Sequence, residues 1–287
     1  MIPAPPARVG VLGGGRMGAG IAHAFLVAGS IVTVVERDEP SADAAAERVL
    51  DSIRRSVERD TQLDAADMTA RLHTGTDVAA FADAELVIEA VPEDRALKDE
   101  ALTRVESVLA ADAVLASNTS SISIDDLAAT RTHPERFLGL HFFNPVPAST
   151  LVEIVRGAAT DPAVVDAARG WVESLRKQPI VVSDSPGFAS SRLGVMLGLE
   201  AIRMLEEGVA SAADIDAAMT LGYRHPVGPL RTTDIVGLDV RLGIAEELAR
   251  ELGPRFEPPA LLRQMVAEGR LGRKSGEGFY DWKEENR

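Results

Sequence analysis

Short apolar runs alternate with longer amphipathic stretches through the first half of the chain, and length tells the two kinds of element apart. Residues 8–12 form a β-branched run ending at Gly13-Gly14-Gly15-Arg16-Met17-Gly18. Residues 19–28 follow with helical spacing until Gly29 stops them, and residues 31–35, closed by Glu36, are a second compact apolar run. Strands take about four to eight residues and helices about ten or more, so this opening predicts a β-α-β unit. A crossover through a helix returns to the sheet in one hand, which makes the two strands parallel. A polar amphipathic stretch over 41–63, a strand over 84–91, a helix near 97–109 and a strand over 113–117 extend the alternation. Such alternation predicts an α/β fold with a doubly wound sheet.

The pattern changes after Phe137. Residues 137–143 and 151–155 are apolar runs joined by Asn144-Pro145-Val146-Pro147-Ala148-Ser149-Thr150, where prolines and small polar residues mark a reversal. Residues 180–182 predict the last strand, and Ser183-Asp184-Ser185-Pro186-Gly187 punctuates the chain before it turns helical. Residues 192–207 are apolar almost all round, as in a helix buried in a second domain or a subunit interface, and Gly208 ends them. Ser211 to Asp214 reads as the cap of another helix. The boundary is expected at 185, with an α/β domain over 1–185 and an all-α C-terminal domain over 186–287.

Composition narrows the partners. The chain has 287 residues, room for two domains, and its 46% hydrophobic and 26% charged content is ordinary for a folded globular protein. Thirty Lys and Arg against 44 Asp and Glu give a net charge of −14, a field that repels nucleic acid phosphates and anionic membranes, so neither is an expected partner. Cysteine is absent, which excludes disulfides, thiolate catalysis and cysteine-held metals; no metal site is expected, and redox chemistry would need a borrowed cofactor. The first residues lack a basic segment followed by an apolar one, and no run approaches the ~18 apolar residues of a membrane span. A cytoplasmic location is expected.

Gly13, Gly15 and Gly18 fit G-x-G-x-x-G between a strand and a helix. In that setting the first glycine permits the tight turn, the second lets backbone approach a pyrophosphate, and the third packs helix on strand. The helix N-terminus then faces the phosphates. This is the Rossmann-type arrangement, and Gly13, Gly15, Arg16, Met17 and Gly18 become candidate dinucleotide contacts. Glu36, at the end of the second strand, can accept both hydroxyls of the adenosine ribose and would repel an extra phosphate, which favours NAD over NADP. Arg37 beside it could instead pair with a 2′-phosphate or be a solvated surface group.

His141 and Glu153 each interrupt an apolar strand, and a polar side chain there needs a partner. If the chain reverses near Pro147, antiparallel pairing sets His141 opposite Glu153. A carboxylate that fixes the imidazole tautomer and stabilises its cation makes a general base. A buried structural pair is the alternative at this point.

Six strings carry a family resemblance: Gly13-Gly14-Gly15-Arg16-Met17-Gly18-Ala19-Gly20, Glu89-Ala90-Val91, Ser117-Asn118-Thr119-Ser120-Ser121, His141-Phe142-Phe143-Asn144-Pro145, Pro186-Gly187-Phe188 and Gly276-Glu277-Gly278-Phe279-Tyr280. With these, the chain resembles the short-chain L-3-hydroxyacyl-CoA dehydrogenases, including bacterial 3-hydroxybutyryl-CoA dehydrogenases, over nearly its whole length. The resemblance implies an NAD-dependent homodimer that oxidises a (3S)-3-hydroxyacyl-CoA in fatty-acid, butanoate or aromatic-acid degradation. It makes His141 the base, Glu153 its orienter and Ser120 the hydroxyl that positions the substrate oxygen, where Ser120 could otherwise be a turn or cap residue. It makes Asn144 a contact on the nicotinamide side, where a turn former is the alternative. Glu93, Lys98 and Lys274 match further NAD contacts; by composition alone all three read as solvated surface charges. Ser52 and Arg59 match coenzyme A contacts on a helix that also carries Arg54 and Arg55, and that helix could equally be a plain amphipathic one.

One departure stands out. The family commonly carries Asn at the helix start after Pro-Gly-Phe, and this chain places Ser191 there. Ser191 is expected either to reach the site, with water spanning the gap, or only to cap the helix. Two other functions compete with the leading one: the same chemistry on an acyl-carrier-protein or a free hydroxy acid such as gulonate, and a non-catalytic cofactor-binding structural protein like the lens crystallins related to this family. His141-Phe142-Phe143-Asn144 resembles the acyl-CoA branch more, and the intact His141, Glu153 and Ser120 set argues against the non-catalytic protein.

Overall fold

The computed structural model describes residues 3–283, which divide into two compact units between Ser185 and Pro186. In the first, eight strands form one sheet: β1 (Arg8–Leu12), β2 (Ile31–Val35), β3 (Leu72–Gly75), β4 (Leu86–Glu89), β5 (Val114–Ser117), β6 (Phe137–Phe142), β7 (Leu151–Arg156) and β8 (Gln178–Ser183). Their order is β3-β2-β1-β4-β5-β6-β7-β8. Pairing is parallel from β3 through β6, antiparallel between β6 and β7, and parallel between β7 and β8. The chain leaves β1 for one side of the sheet and β4 for the other, so the carboxyl ends of β1 and β4 flank a topological switch point, where α/β sheets bind ligands.

Helices α1 (Arg16–Ala28), α2 (Glu39–Arg59), α3 (Ala65–Ala70), α4 (Arg95–Glu106), α5 (Ile124–Ala128) and α6 (Pro162–Ser174) complete this unit. Its main core joins Val9, Val11, Val32 and Ile88 of the strands to Ile21, Phe25 and Val49 of the helices. The expected stretch over 41–63 is reset at both ends. Asp38 caps α2 by accepting from the Ser41 N–H, so the helix begins at Glu39, and it stops at Arg59 with Asp60 as its C-cap. β3, α3, α5 and α6 are additions to the sequence-based element order.

The second unit is helical: α7 (Ser190–Glu206), α8 (Ala212–Gly222), α9 (Pro229–Val236), α10 (Leu238–Leu252) and α11 (Ala260–Ala267). Ser211 caps α8 by accepting from the Asp214 N–H. The apolar character of residues 192–207 does not mean burial all round: Val195, Leu199 and Ile202 are buried, while Leu193 is 67% and Leu197 39% exposed. Two buried carboxylates then fasten the segment after α11. Asp234 accepts from the Phe279 and Tyr280 N–H groups and from Trp282 Nε1–H, and Asp216 accepts from the Leu230 and Arg231 N–H groups and from the Tyr280 hydroxyl. Burial pushes the Asp234 carboxyl above its ordinary value, against the pull of those donors. Among the described residues no helix is long and apolar enough to cross a membrane.

Candidate active site

The turn after β1 is built from close approaches. Gly13 has φ of 93°, and its N–H donates to Val35 O at 2.8 Å, which ties the turn to β2. A Cβ on Gly18 would lie 1.8 Å from Gly13 O, so only glycine lets α1 begin this near the strand. Gly15 is the N-cap of α1, and a Cβ there would meet nothing within 4 Å. Space is thus open beside the start of α1, where the first-turn N–H groups have no partner within the helix, and this fits the pyrophosphate of a dinucleotide. Arg16 is exposed and Met17 half-buried beside that space. Glu36 Oε1 accepts from the Gly14 N–H at 2.7 Å, so the carboxylate is anchored at the glycine loop. Arg37 turns away: its Nε donates to Asp38 at 3.1 Å, and its side chain is 84% exposed.

A buried charge network lies at the ends of β4 and β5. Lys98 on α4 is 1% exposed, which removes it from the solvated charges. Its Nζ lies 2.7 Å from Glu89 Oε1 and 3.2 Å from Glu93 Oε2, and it also donates to Val91 O. Ser117 Oγ donates to Glu89 Oε2 at 2.6 Å. Glu93 in turn gathers the loop after β5, accepting from Thr119 Oγ1 at 2.6 Å, from the Ser120 N–H at 2.8 Å and from the Ser121 N–H at 3.1 Å. Burial opposes ionisation of Glu93, but the Lys98 ammonium and the donors from Thr119 and Ser120 outweigh it and hold the carboxyl below its usual range. Ser120 is half-buried, with its Oγ 3.3 Å from Glu93. Glu89, Ser117 and Thr119 are site-building residues that sequence reasoning passed over. Their signal was available in Glu89, a carboxylate closing the apolar run Leu86-Val87-Ile88.

β6 and β7 pair so that His141 faces Glu153, the expected register. His141 Nδ1 lies 2.8 Å from Glu153 Oε2, with His141 6% and Glu153 0% exposed. The Phe143 ring sits 4.5 Å from the imidazole, centroid to centroid. Asn118 joins this hairpin to β5, its Oδ1 accepting from the Phe142 N–H at 2.9 Å. The reversal after β6 is held from two sides: Val146 lies against Gly20 of α1, and Lys177 Nζ donates to Val146 O at 2.6 Å and to Ser149 O. Asn144 is exposed on that reversal.

The first unit thus holds the glycine loop, Glu36, Glu93, Lys98, Ser120, His141, Asn144 and Glu153. Ser52 and Arg59 lie on α2, where Ser52 Oγ donates to Arg48 O at 3.0 Å and Arg59 is exposed at the last turn. Arg54 and Arg55 both pair with Asp51, which weakens the cationic face expected there. Ser191 and Lys274 belong to the second unit. Ser191 is not a cap: Ala189 holds that position and Ser191 lies inside the first turn of α7. Lys274 Nζ pairs with Asp239, 2.6 Å from Oδ2.

A mostly parallel sheet with a glycine turn leading into a helix, a carboxylate at the end of β2 and a buried His–Glu pair near the sheet's carboxyl edge defines a dinucleotide-dependent dehydrogenase class. Family models narrow it. Residues 8–185 match the NAD binding domain of 3-hydroxyacyl-CoA dehydrogenase, and residues 187–282 match its C-terminal domain. The chain belongs to the 3-hydroxyacyl-CoA dehydrogenase family. It is 45% identical over 286 residues to a 3-hydroxybutyryl-CoA dehydrogenase of Mycobacterium tuberculosis, covering 96% of this chain and 98% of the relative. It is 38% identical over 287 residues to the mitochondrial hydroxyacyl-coenzyme A dehydrogenase of Rattus norvegicus, covering 96% of this chain and 91% of that one. The crystal structure of (S)-3-hydroxybutyryl-CoA dehydrogenase from Ralstonia eutropha is similar with a TM-score of 0.91 and 39% identity, over 96% of this chain and 99% of that chain.

Proposed function

We propose that this family member catalyses the reversible, NAD-dependent oxidation of a short-chain (3S)-3-hydroxyacyl-CoA to the 3-ketoacyl-CoA, with His141 as general base. The observation that carries the reading is the buried 2.8 Å contact between His141 Nδ1 and Glu153 at the sheet's carboxyl edge. With Nδ1 engaged, the substrate hydroxyl proton goes to Nε2, and Glu153 holds the ring and stabilises the imidazolium that results. When bound, NAD⁺ supplies the acceptor for the hydride that leaves C3 of the substrate. Gly13, Gly15, Arg16, Met17, Gly18 and Glu36 would hold its adenosine and pyrophosphate, and Glu93, Lys98, Asn144 and Lys274 are assigned to the rest.

Ser120 is assigned to the substrate oxygen, with its loop kept in place by Glu93. We assign Ser52 and Arg59 to coenzyme A; unlike Arg54 and Arg55, Arg59 is not drawn to Asp51. Ser191 is assigned to the site rather than to capping, because Ala189 already occupies the cap. We further read 1–185 as the cofactor domain and 186–287 as the dimerisation and substrate domain of a cytoplasmic homodimer, supported by the exposed Leu193 and Leu197 on α7 and by the acidic, cysteine-free composition. The names of the similar proteins, 3-hydroxybutyryl-CoA dehydrogenases among them, favour a four-carbon acyl group. The test is NADH oxidation with acetoacetyl-CoA, acetoacetyl-acyl-carrier protein and free acetoacetate in parallel. Turnover of the CoA thioester well above the other two is expected; activity confined to the free acid, or none at all, would sink the proposal.

A further inference from the structure

The glycine loop meets a second charged side chain that the sequence pattern did not single out. Arg48 on α2 donates from Nη1 to Gly14 O at 3.2 Å, while Glu36 accepts from the N–H of the same residue at 2.7 Å. Gly14 is thus held at both ends of its backbone by side chains of opposite charge. α2 is pressed into this position: a Cβ on Gly14 would lie 2.2 Å from Ala45 Cβ, and Arg48 follows Ala45 by three residues, on the same face of the helix. Arg48 as a residue stays exposed, with its bond to Gly14 O partly buried. Arg37, the arginine adjacent to Glu36 in sequence, is turned to Asp38 instead.

We propose that Arg48 is a specificity-determining residue: it places a fixed positive charge beside Glu36 at the adenosine end of the dinucleotide site and sets how strictly NAD is preferred over NADP. A 2′-phosphate carries about two negative charges at neutral pH. Glu36 repels that group, and Arg48 attracts it from the other end of the same glycine. The discrimination of this chain is the difference between two opposed charges, not the effect of a single carboxylate. Gly14 ties the two together, since each side chain is oriented by a hydrogen bond to it rather than left to swing in solvent.

The inference rests on the reading of the glycine loop as the cofactor site, and the test separates the two. NADH and NADPH dissociation constants are measured by nicotinamide fluorescence on wild type, Arg48→Gln, Arg48→Lys, Glu36→Gln and the Glu36→Gln/Arg48→Gln double variant. Gln removes the charge but is shorter, so Arg48→Lys, which keeps both reach and charge, is the control for the lost bond to Gly14 O, and a melting curve checks that the fold is intact. Glu36→Gln is expected to tighten NADPH about tenfold, and Arg48→Gln in that background to weaken it by about the same factor, the scale of one screened charge contact near a surface. On Arg48→Gln NADPH should weaken several-fold more than NADH, and Arg48→Lys should restore NADPH binding. Equal weakening of both dinucleotides would make Arg48 a loop support and overturn the proposal, as would no change in either or no gain on Glu36→Gln. If wild type binds neither dinucleotide, the cofactor reading itself fails.

Discussion

Lys98 keeps its ammonium 1% exposed, and a cation so buried survives only where acceptors surround it. Glu89, Glu93 and Val91 O supply them. Lys98→Met should therefore cost about 3–5 kcal/mol, because Glu89 stays buried without its counter-ion, and Lys98→Met/Glu89→Leu should recover much of the loss. Urea unfolding of the three proteins checks this, and a single variant as stable as wild type would contradict it. His141 and Glu153 act differently. If they serve proton transfer as proposed, rather than cofactor capture, their loss should lower turnover by about 10² to 10⁴ while NADH still binds. Steady-state rates and NADH titration of His141→Gln and Glu153→Gln decide; near-native kcat would make the pair structural. This pair was legible in the sequence because each residue breaks an apolar strand, and the same signal stood at Glu89 unread. Lys98 gave no such signal, since Asp94, Asp99 and Glu100 around it make its helix look solvated.

The α1–α2 contact contains a titratable group placed to report on packing. His23 on α1 is 4% exposed, its Nε2 2.9 Å from Ser56 Oγ on α2, and burial, with the charge of Lys177 adding to it, lowers its pKa to about 4. The unfolded chain binds this proton near pH 6.5 and the folded one only near 4, so stability is whole above pH 6.5 and is lost as pH falls through that window. The full loss is about 3 kcal/mol. His23→Gln should flatten the fall in Tm between pH 7 and pH 4.5; an unchanged slope would place the acid sensitivity elsewhere. Elements were legible in proportion to their apolar contrast. The buried runs of β1, β2, β4 and β5 and the prolines before β7 announced themselves. β3, Leu72-His73-Thr74-Gly75, did not, because an edge strand with no fully buried residue has no apolar rhythm to show. α6 was missed although its start is marked, since Asp161 caps it and Pro162 opens it, an acceptor and a proline placed as at other helix N-termini.

Each unit carries its own hydrophobic core, and the second also exposes Leu193 and Leu197 on α7 and Val240 on α10. Large apolar side chains left open in this way favour self-association. Light scattering at micromolar concentration should give twice the chain mass at several salt strengths; a monomer throughout would remove the dimer. Over the whole molecule the facing of His141 and Glu153 depends on backbone pairing more than on neighbouring side chains. β6 is fixed by β5 on its outer side and β7 by β8, so the hairpin between them is clamped from both edges. A slip of one residue would turn Glu153 to the other face of the sheet, and the clamping forbids it. The reversal over 143–150 is held separately, by Val146 against Gly20 and by Lys177 on Val146 O and Ser149 O, so the facing of His141 and Glu153 rests on strand register and the placing of Asn144 on these side contacts.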